Sequence, residues 1–399
     1  MGDGKTALKV VLNRNIEPYT VGGIAGATSP VVRLATTTNR SWGDANGNYI
    51  PDCSLVVLTA NGECGAVANT LFGSAGAQGN FDPDVLQGWG KRLYNWEFTA
   101  GVQRQVLTGL SVDATYFRRW YGNFTVVDNR AVTAADFTQF SITAPSDSRL
   151  PNGGGNVISG LYDVNQNKFG QTDNITTFAK NFGKQVQMWN GVAVTVSARM
   201  PHEIIIQGGL DRGTITQDVC DIRAKVPEYT VADPYSTPVV AAGTSTSTLN
   251  LASPTAWHCH TERPQTQVKL LGSYTVPKIE LQVSSTLQSI PGPEIAAFFT
   301  ATNALIAPSL NRPLSGGAAN VSVNLVAPGT MYGERLNQLD IRFARPVRAG
   351  RSKTVFQLDI YNALNVDAVT GVNSAYASWL RPQAVILGRF AKFGVQFDF

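Results

Sequence analysis

The feature that most constrains this chain is a series of strand-like segments joined alternately by very short turns and very long connections. In each segment apolar side chains alternate with small or polar ones, which is the period of a β-strand with two different faces. The long connections run to roughly 25 to 75 residues, whereas unstructured loops beyond about 15 residues are uncommon in compact soluble domains. Short turns at one end and long loops at the other are typical of bacterial outer-membrane barrels.

The alternation predicts an opening strand, four hairpins and a closing strand, which makes about ten antiparallel strands. These segments are 5–14, 94–102, 110–116, 192–198, 204–210, 268–274, 279–287, 339–343, 356–360 and 391–399. If the short turns are periplasmic, the first segment rises from the periplasm and the last descends to it. The sequence therefore predicts an all-β, up-and-down transmembrane barrel portion with short periplasmic turns and long extracellular loops.

Composition agrees with this class. Charged residues make up 15% of the 399 residues, below the roughly 25% of an ordinary soluble protein. No apolar run approaches the roughly 18 residues of a membrane-spanning helix, so any crossing would use strands. The net charge of +4 is scattered, which gives no reason to expect a nucleic-acid partner. No linker divides the chain, so residues 1–399 are expected to form one domain.

Parity within the predicted strands separates a lipid face from a lumen face. In the closing segment Phe393, Val395, Phe397 and Phe399 share the apolar face. The opposite parity carries the charged side chains, which we expect to face the barrel lumen and solvate it. The lumen candidates are Glu97, Asp113, Arg119, Arg199, Lys269, Glu280, Arg342 and Asp359.

Four cysteines fall in long polar connections as two neighbouring pairs, Cys53 with Cys64 and Cys220 with Cys259. Neither pair has the CxxC spacing of zinc or dithiol sites, so two disulfides in an oxidising compartment are favoured over four free buried thiols. The pairing rests on proximity alone.

The segment from Asp44 to Asp52 resembles a calcium loop. Asp44, Asn46, Asn48 and Asp52 stand at positions one, three, five and nine, which is the spacing that such loops use. Position six is Tyr49 instead of glycine, and position twelve lacks a glutamate. A weak calcium site and an Asx-rich turn pinned by Cys53 therefore both remain open.

Other motifs give no support for an enzyme. Gly2-Asp3-Gly4-Lys5-Thr6 lacks the preceding glycine and strand of a phosphate-binding loop and is better interpreted as a turn. No metalloprotease, nucleophile-elbow or dinucleotide motif occurs. The run from His258 to His260 carries metal-ligand types, but alternate side chains of an extended strand point apart, so a disulfide flanked by histidines is favoured.

Several stretches together resemble the TonB-dependent outer-membrane receptors of the Oar-like group. They are the segments 2–6, 42–53, 335–340 and 359–365 and the terminal Phe399. The resemblance covers essentially the whole chain, and it corresponds to the carboxyl-terminal part of that family's barrel.

The resemblance implies a 22-stranded barrel around a plug, with a TonB box that couples inner-membrane energy to uptake of an extracellular ligand. It also implies that Phe393, Val395, Phe397 and Phe399 form the signal read by the barrel-assembly machinery. The signal peptide, carboxypeptidase-regulatory-like domain, plug and TonB box of the family are absent from these 399 residues. We therefore expect a truncated reading frame.

Three functions stay open from the sequence. The leading hypothesis is an outer-membrane receptor or transporter barrel that takes up an unidentified ligand with the TonB complex and needs its plug. The second is an outer-membrane structural or adhesion protein without transport. The third is a secreted, soluble all-β binding module.

Overall fold

A computed structural model describes residues 4–17, 34–69, 72–74, 80–201, 203–229, 255 and 257–399. The strands in chain order are β1 (Thr6–Ile16), β2 (Arg40–Trp42), β3 (Cys64–Val67), β4 (Asn80–Phe81), β5 (Tyr94–Leu107), β6 (Leu110–Gly122), β7 (Thr125–Asn129), β8 (Phe137–Thr143), β9 (Val157–Val164), β10 (Asn174–Phe178), β11 (Val186–Met200), β12 (Ile204–Asp218), β13 (His260–Val276), β14 (Leu281–Ile290), β15 (Phe298–Thr302), β16 (Asn320–Asn324), β17 (Leu336–Ala349), β18 (Ser352–Tyr361), β19 (Val369–Val372), β20 (Pro382–Val385) and β21 (Phe390–Asp398). The helices are α1 (Pro83–Leu86), α2 (Cys220–Lys225) and α3 (Asn303–Leu310). Within these described ranges, no helix has both the length and the apolar character that a membrane crossing requires.

The long strands form one antiparallel sheet, which confirms the predicted all-β class and the ten strands. Its order is β1-β5-β6-β11-β12-β13-β14-β17-β18-β21, so each strand lies beside the next long strand along the chain. We call this the main sheet. Most of its strands are longer than the predicted segments. The strands extend into polar ends, where both faces are polar and the alternation of apolar and polar residues can no longer be recognised.

Short turns join the hairpins of the main sheet at one end. Gly109 closes the first turn with φ of +81°, and a Cβ there would lie 2.1 Å from the carbonyl oxygen of Arg199. Glycine is therefore required by both backbone conformation and space. The turn at 277–280 corrects one prediction, because Ile279 and Glu280 precede β14 instead of belonging to it. Glu280 has φ of +49° and is not a lumen-facing strand residue.

Register divides the main sheet into two faces. Since paired residues lie on the same face, parity can be followed across every strand. One face, which we call the apolar face, is almost continuously hydrophobic between the strand ends. Its members include Leu8, Val10, Leu12, Phe98, Ala100, Val102, Val112, Ala114, Tyr116, Val192, Val194, Val196, Ile206, Leu210, Val268, Leu270, Tyr274, Val283, Leu287, Leu339, Ile341, Phe343, Phe356, Leu358, Ile360, Phe393, Val395 and Phe397.

The apolar side chains of the closing strand lie on this face as the alternation predicts. Phe393, Val395 and Phe397 are 80%, 51% and 69% exposed, although they are hydrophobic. Phe399 follows one residue after the end of β21 and is fully exposed. The apolar face therefore has no protein layer over it at this edge.

The described parts of the long connections are folded, which the sequence did not predict. They contain the small sheets β4-β10-β7, β15-β16, β19-β20, β2-β3 and β8-β9. These strands are two to eight residues long, too short to give a clear period against their polar surroundings. Helix α3 packs beside β8 and β15.

Two hydrophobic clusters hold the connections together, and we call the body that they form the loop cap. The larger joins β8, β9, α3, β15, β16 and Trp379, with Leu161, Ile306 and Val323 fully buried. The smaller joins Val126 and Ala179 to the segment that contains Ile222. Residues distant in sequence thus share a core, so the loop cap has a defined shape at the end of the main sheet opposite the short turns.

We expect Leu161→Ala to destabilise the loop cap by about 2 to 5 kcal/mol, because it leaves a cavity among fully packed neighbours. Hydrogen exchange followed by mass spectrometry should show faster exchange in β8, β9 and α3, with the main sheet unchanged. Leu387→Ala is the matched control, since Leu387 is 74% exposed. Equal exchange in both variants would contradict a cooperative cap.

Candidate functional site on the polar face

The second face of the main sheet, which we call the polar face, gathers the charged residues that parity predicted. Asp113 lies opposite Thr195, Arg199 opposite Ile205, and Lys269 opposite Gly209. The same register continues to the far edge, where Arg342 lies opposite Asp359. The residues placed on this face are Glu97, Asp113, Arg119, Arg199, Lys269, Arg342 and Asp359. Only Glu280 of the predicted set lies elsewhere; it pairs with Arg348 at 3.1 Å in the turn region.

Two pairs of opposite charges on the polar face join neighbouring strands. Arg342 donates to both carboxylate oxygens of Asp359, at 2.5 and 3.1 Å, and Asp359 is 5% exposed. Arg119 forms an ion pair with Glu97. Bidentate arginine–carboxylate pairs fix geometry as well as charge. The Arg342–Asp359 pair therefore holds a fixed position on this surface.

A cavity of about 410 Å³ lies beside the Glu97–Arg119 pair. Phe117 and Trp189 line it with ring centroids 6.1 Å apart, and Gln265 supplies an amide. Trp189 lies flat on the sheet because the positions beside it are glycines. A Cβ at Gly213 would come within 2.7 Å of the indole ring. The arrangement combines an apolar ring surface with polar groups, as small-molecule sites commonly do.

A second cavity of about 360 Å³ lies farther along the same face. Lys269, Gln288, Gln338 and Asp340 line it. The amide nitrogen of Gln288 donates to Gln338 at 2.7 Å, and that of Gln338 donates to Asp340 at 3.0 Å. The polar face thus presents a connected series of donors and acceptors rather than isolated charges.

A buried ion pair connects the polar face to the loop cap. Arg263, which is 1% exposed, donates from Nε to Glu294 at 3.1 Å and from Nη1 to Gln217 at 2.8 Å. Glu294 also accepts from the backbone N–H of Gly329 at 2.7 Å. Breaking a buried pair of this kind leaves an uncompensated charge, which costs several kcal/mol. The loop cap is therefore fixed to the main sheet at this point.

Sequence reasoning missed these connecting residues. Arg263 and Gln265 have the same parity as Lys269, so extending the alternation of β13 towards His260 would have placed them on the polar face. Glu294 has no such signal, because it lies in a connection and reaches Arg263 only through tertiary packing.

Both predicted cysteine pairs are disulfides in the structure, Cys53 with Cys64 and Cys220 with Cys259. Cys64 begins the short strand β3 and Cys220 begins α2, so neither lies in an irregular loop. The second bond ties α2 to the residues just before β13. It thereby ties the helix that carries Arg223 to the segment that carries His258.

Burial governs the charge state of this region. Burial lowers the pKa of His258 to about 4, and the nearby charge of Arg223 adds to the effect. Burial also lowers the pKa of Arg223 to about 10. Arg223 donates to the carbonyl oxygen of Gly160 at 2.8 Å and lies over the Tyr162 ring. His258 is therefore neutral when the cap is folded near neutral pH.

The candidate calcium loop is an Asx-rich cluster in this structure. Asp44 accepts from the backbone N–H groups of Asn48 and Tyr49, at 3.1 and 2.9 Å. Asn46 and Asn48 donate their side-chain amides to Asp52, at 2.5 and 2.9 Å. Among the described residues, no group of three or more His, Cys, Asp or Glu side chains is placed to hold a metal ion. Calcium binding stays a prediction.

Two details of this loop were not visible from spacing. Tyr49 adopts φ of +59°, the left-handed conformation that glycine supplies at this position in calcium loops. Glu63, adjacent to the disulfide, accepts from the backbone N–H of Ala45 at 2.8 Å. A carboxylate thus reaches the loop from outside its own sequence.

Comparisons with known proteins are sparse. No family model matches the chain, and no curated protein matches it. A search of solved structures found the outer membrane transporter YddB from Escherichia coli, with a TM-score of 0.37 and 14% sequence identity. The match covers 79% of this chain and 34% of the transporter's chain, so the described protein spans about a third of that structure's length.

Acid should weaken the loop cap through His258. Its folded pKa of about 4 lies below the usual 6.5, so the unfolded cap binds more protons between these values and stability falls as pH drops through that window. The loss reaches about 3 kcal/mol at the lower end. Burial raises the pKa of Glu228 and so acts in the opposite direction.

Comparison with His258→Gln isolates the histidine. Urea unfolding of the cap, followed by hydrogen exchange of α2 at pH 7.5 and pH 4.5, should show a smaller pH effect in this variant than in the native chain. His260→Gln is the matched control, because His260 is exposed. An unchanged pH effect in His258→Gln would refute the assignment.

Proposed function

We propose that the main sheet is part of the wall of a bacterial outer-membrane receptor or transporter barrel. The observation that carries this proposal is the division of ten antiparallel strands into one exposed apolar face and one polar face with paired charges. Strands of a membrane barrel alternate apolar outward and polar inward in this way. The apolar face would meet lipid, and the polar face would line the lumen.

The extent of exposed apolar surface supports the proposal. Leu8, Val10 and Leu12 are 61%, 59% and 58% exposed at one edge, and Phe393 and Phe397 are exposed at the other. Monomeric soluble proteins rarely expose contiguous apolar patches beyond a few hundred Å². Hydrocarbon is a medium in which this face is stable.

The two edges of the main sheet are consistent with a larger barrel. Among the described residues, β1 pairs only with β5 and β21 only with β18. Open strand edges are not tolerated in hydrocarbon, because their N–H and C=O groups would have no partners. We therefore infer that further strands pair with these edges in the membrane.

Uptake is the activity that we assign to the barrel. The folded loop cap would capture a ligand outside the cell, and the cavities of the polar face would pass it inward. The resemblance to the Oar-like TonB-dependent receptors adds the energy source, a TonB complex that acts through a plug and a TonB box. Assembly would use the barrel-assembly machinery, which reads Phe393, Val395, Phe397 and Phe399.

Adjacent leucines provide a direct test of membrane insertion. Leu270 and Leu271 are 41% and 40% exposed but lie on the apolar and polar faces. An arginine facing the middle of a bilayer costs about 2 to 4 kcal/mol. In lipid vesicles, Leu270→Arg should therefore lower the free energy of unfolding by about that amount, while Leu271→Arg changes it little.

Urea titration monitored by tryptophan fluorescence measures the difference. A soluble binding module would tolerate both arginines equally and would stay in solution without detergent. Either result would refute the membrane proposal.

Gene context separates uptake from adhesion. Sequencing upstream of the coding region in the source genome should find an in-frame plug and TonB box if uptake is correct. Their absence there would favour a structural or adhesive outer-membrane protein, in which the folded loop cap binds an external surface.

A further inference from the structure

Arginines stand on the apolar face near its loop end, where a purely hydrophobic face would end. Arg14, Arg118 and Arg212 share the parity of the hydrophobic residues on β1, β6 and β12. Seven residues separate each arginine from the first residue of its strand, which lies at the short-turn end. All three side chains are exposed. Lipid-facing charges are costly except near the interfaces.

These arginines follow one line across the sheet. Arg14 lies opposite Trp96, which lies opposite Trp120, so Arg118 is two residues nearer the short turns. Arg118 lies opposite Asn190, which lies opposite Thr214, so Arg212 is again two residues nearer. In a barrel whose strands tilt by about 40°, positions at the same depth in the membrane shift by about one residue from each strand to the next. The three arginines follow such a shift.

The chain gives independent support for that direction. Leu110 starts β6 opposite Ala198, yet β11 continues to Met200 before it turns. From one hairpin to the next, the positions of the short turns therefore shift along the strands in the same direction as the positions of the arginines. Arg335, which precedes β17, stands on the loop side of this line, and its Nη2 donates to the carbonyl oxygen of Thr266 at 2.6 Å, the residue directly opposite Arg212.

The surroundings are those of a membrane interface. The Arg14 guanidinium lies 4.2 Å from the centre of the Tyr94 ring, and Arg118 lies 5.6 Å from that of Trp120. Trp96 and Trp120 stack with centroids 6.4 Å apart. Aromatic girdles of this kind mark the interfaces of membrane barrels.

These cations have no acidic partner within the described part of the chain. No ion pair joins Arg14, Arg118, Arg212 or Arg335 to a carboxylate. The carboxylates farther along β12 and β13 on this face, Asp218 and Glu262, contact His260 at 3.1 and 3.7 Å. The arginine line therefore offers uncompensated positive charge at lipid headgroup height.

We propose that this line binds the phosphates of a phosphorylated glycolipid of the lipid A class in the outer leaflet. The proposal rests on the membrane placement proposed above, and it adds a specific lipid partner. Arginine suits phosphate because its planar guanidinium donates in pairs. Adjacent members of the line stand two strands apart, about 10 Å across the strands.

That spacing favours a headgroup with phosphates at both ends of a disaccharide over a headgroup with one phosphate. A headgroup with two phosphates can contact two arginines at once, whereas a headgroup with one phosphate can contact only one. Trp96 and Trp120 lie between these arginines and offer ring faces to the sugar.

The test uses the full chain inserted into phosphatidylcholine vesicles that contain bisphosphorylated lipid A. After mild detergent extraction, native mass spectrometry counts the lipid A retained per chain. The triple variant Arg14→Gln/Arg118→Gln/Arg212→Gln should retain lipid A about 100-fold more weakly, since each cation near an anionic surface contributes about a factor of five. Arg104→Gln, on the same face at the short-turn end, should retain it normally.

Native protein with dephosphorylated lipid A supplies a second readout that needs no variant, and retention should fall to the level of the triple variant. Equal retention of the dephosphorylated lipid, or of phosphatidylglycerol at matched charge, would overturn the inference. Full retention by the triple variant would overturn it too. A native chain that inserts but shows no preference refutes this inference alone, whereas one that inserts into no vesicle refutes the membrane proposal and this inference together.

Discussion

The constraint on which the structure depends is the backbone hydrogen-bond register of the main sheet. Paired residues of adjacent strands lie on the same face, so one register error would move a whole strand's apolar side chains into the polar face. Ten strands keep a common parity from Leu8 at one edge to Phe397 at the other. A charge pair reinforces the register between β17 and β18, because Arg342 and Asp359 can form their hydrogen bonds only when these two residues lie opposite each other. The apolar face, the cavities and the arginine line all follow from that alignment.

Much of the main sheet could be predicted, because period two survives in any strand with two different environments. The alternation located every long strand and placed Glu97, Lys269 and Asp359 on one face. It failed at Ile279 and Glu280, which belong to the turn before β14, and φ of Glu280 is positive. At the strand ends both faces become polar, so no apolar neighbours distinguished Arg263 and Gln265 as residues of the polar face. Periodicity reports environment, and it disappears where the environments of the two faces become alike.

The loop cap could not be predicted for a different reason. Its strands are short, and its core is assembled from connections far apart in sequence, as when Ser309 donates to the carbonyl oxygen of Ser141 at 2.7 Å. Such contacts leave no local pattern. The cysteines were the exception, since pairing by proximity gave both disulfides. Covalent and charged anchors at Cys259 and Arg263 lie at the start of β13, and they hold the cap where that strand leaves the main sheet.

This anchoring of the loop cap has a consequence for the ligand capture proposed above. A flexible loop loses conformational entropy when it binds, roughly 1 to 2 kcal/mol for each residue whose backbone becomes fixed. A cap with its own core has already ordered those residues during folding, so more of its contact energy remains for a ligand. The buried Arg263–Glu294 pair adds little net stability, because the cost of desolvating the two charges offsets their attraction. The pair nevertheless forms only when the cap has one particular position relative to β13. Specific placement of the cap at the loop end of the main sheet, more than added stability, is what that pair supplies.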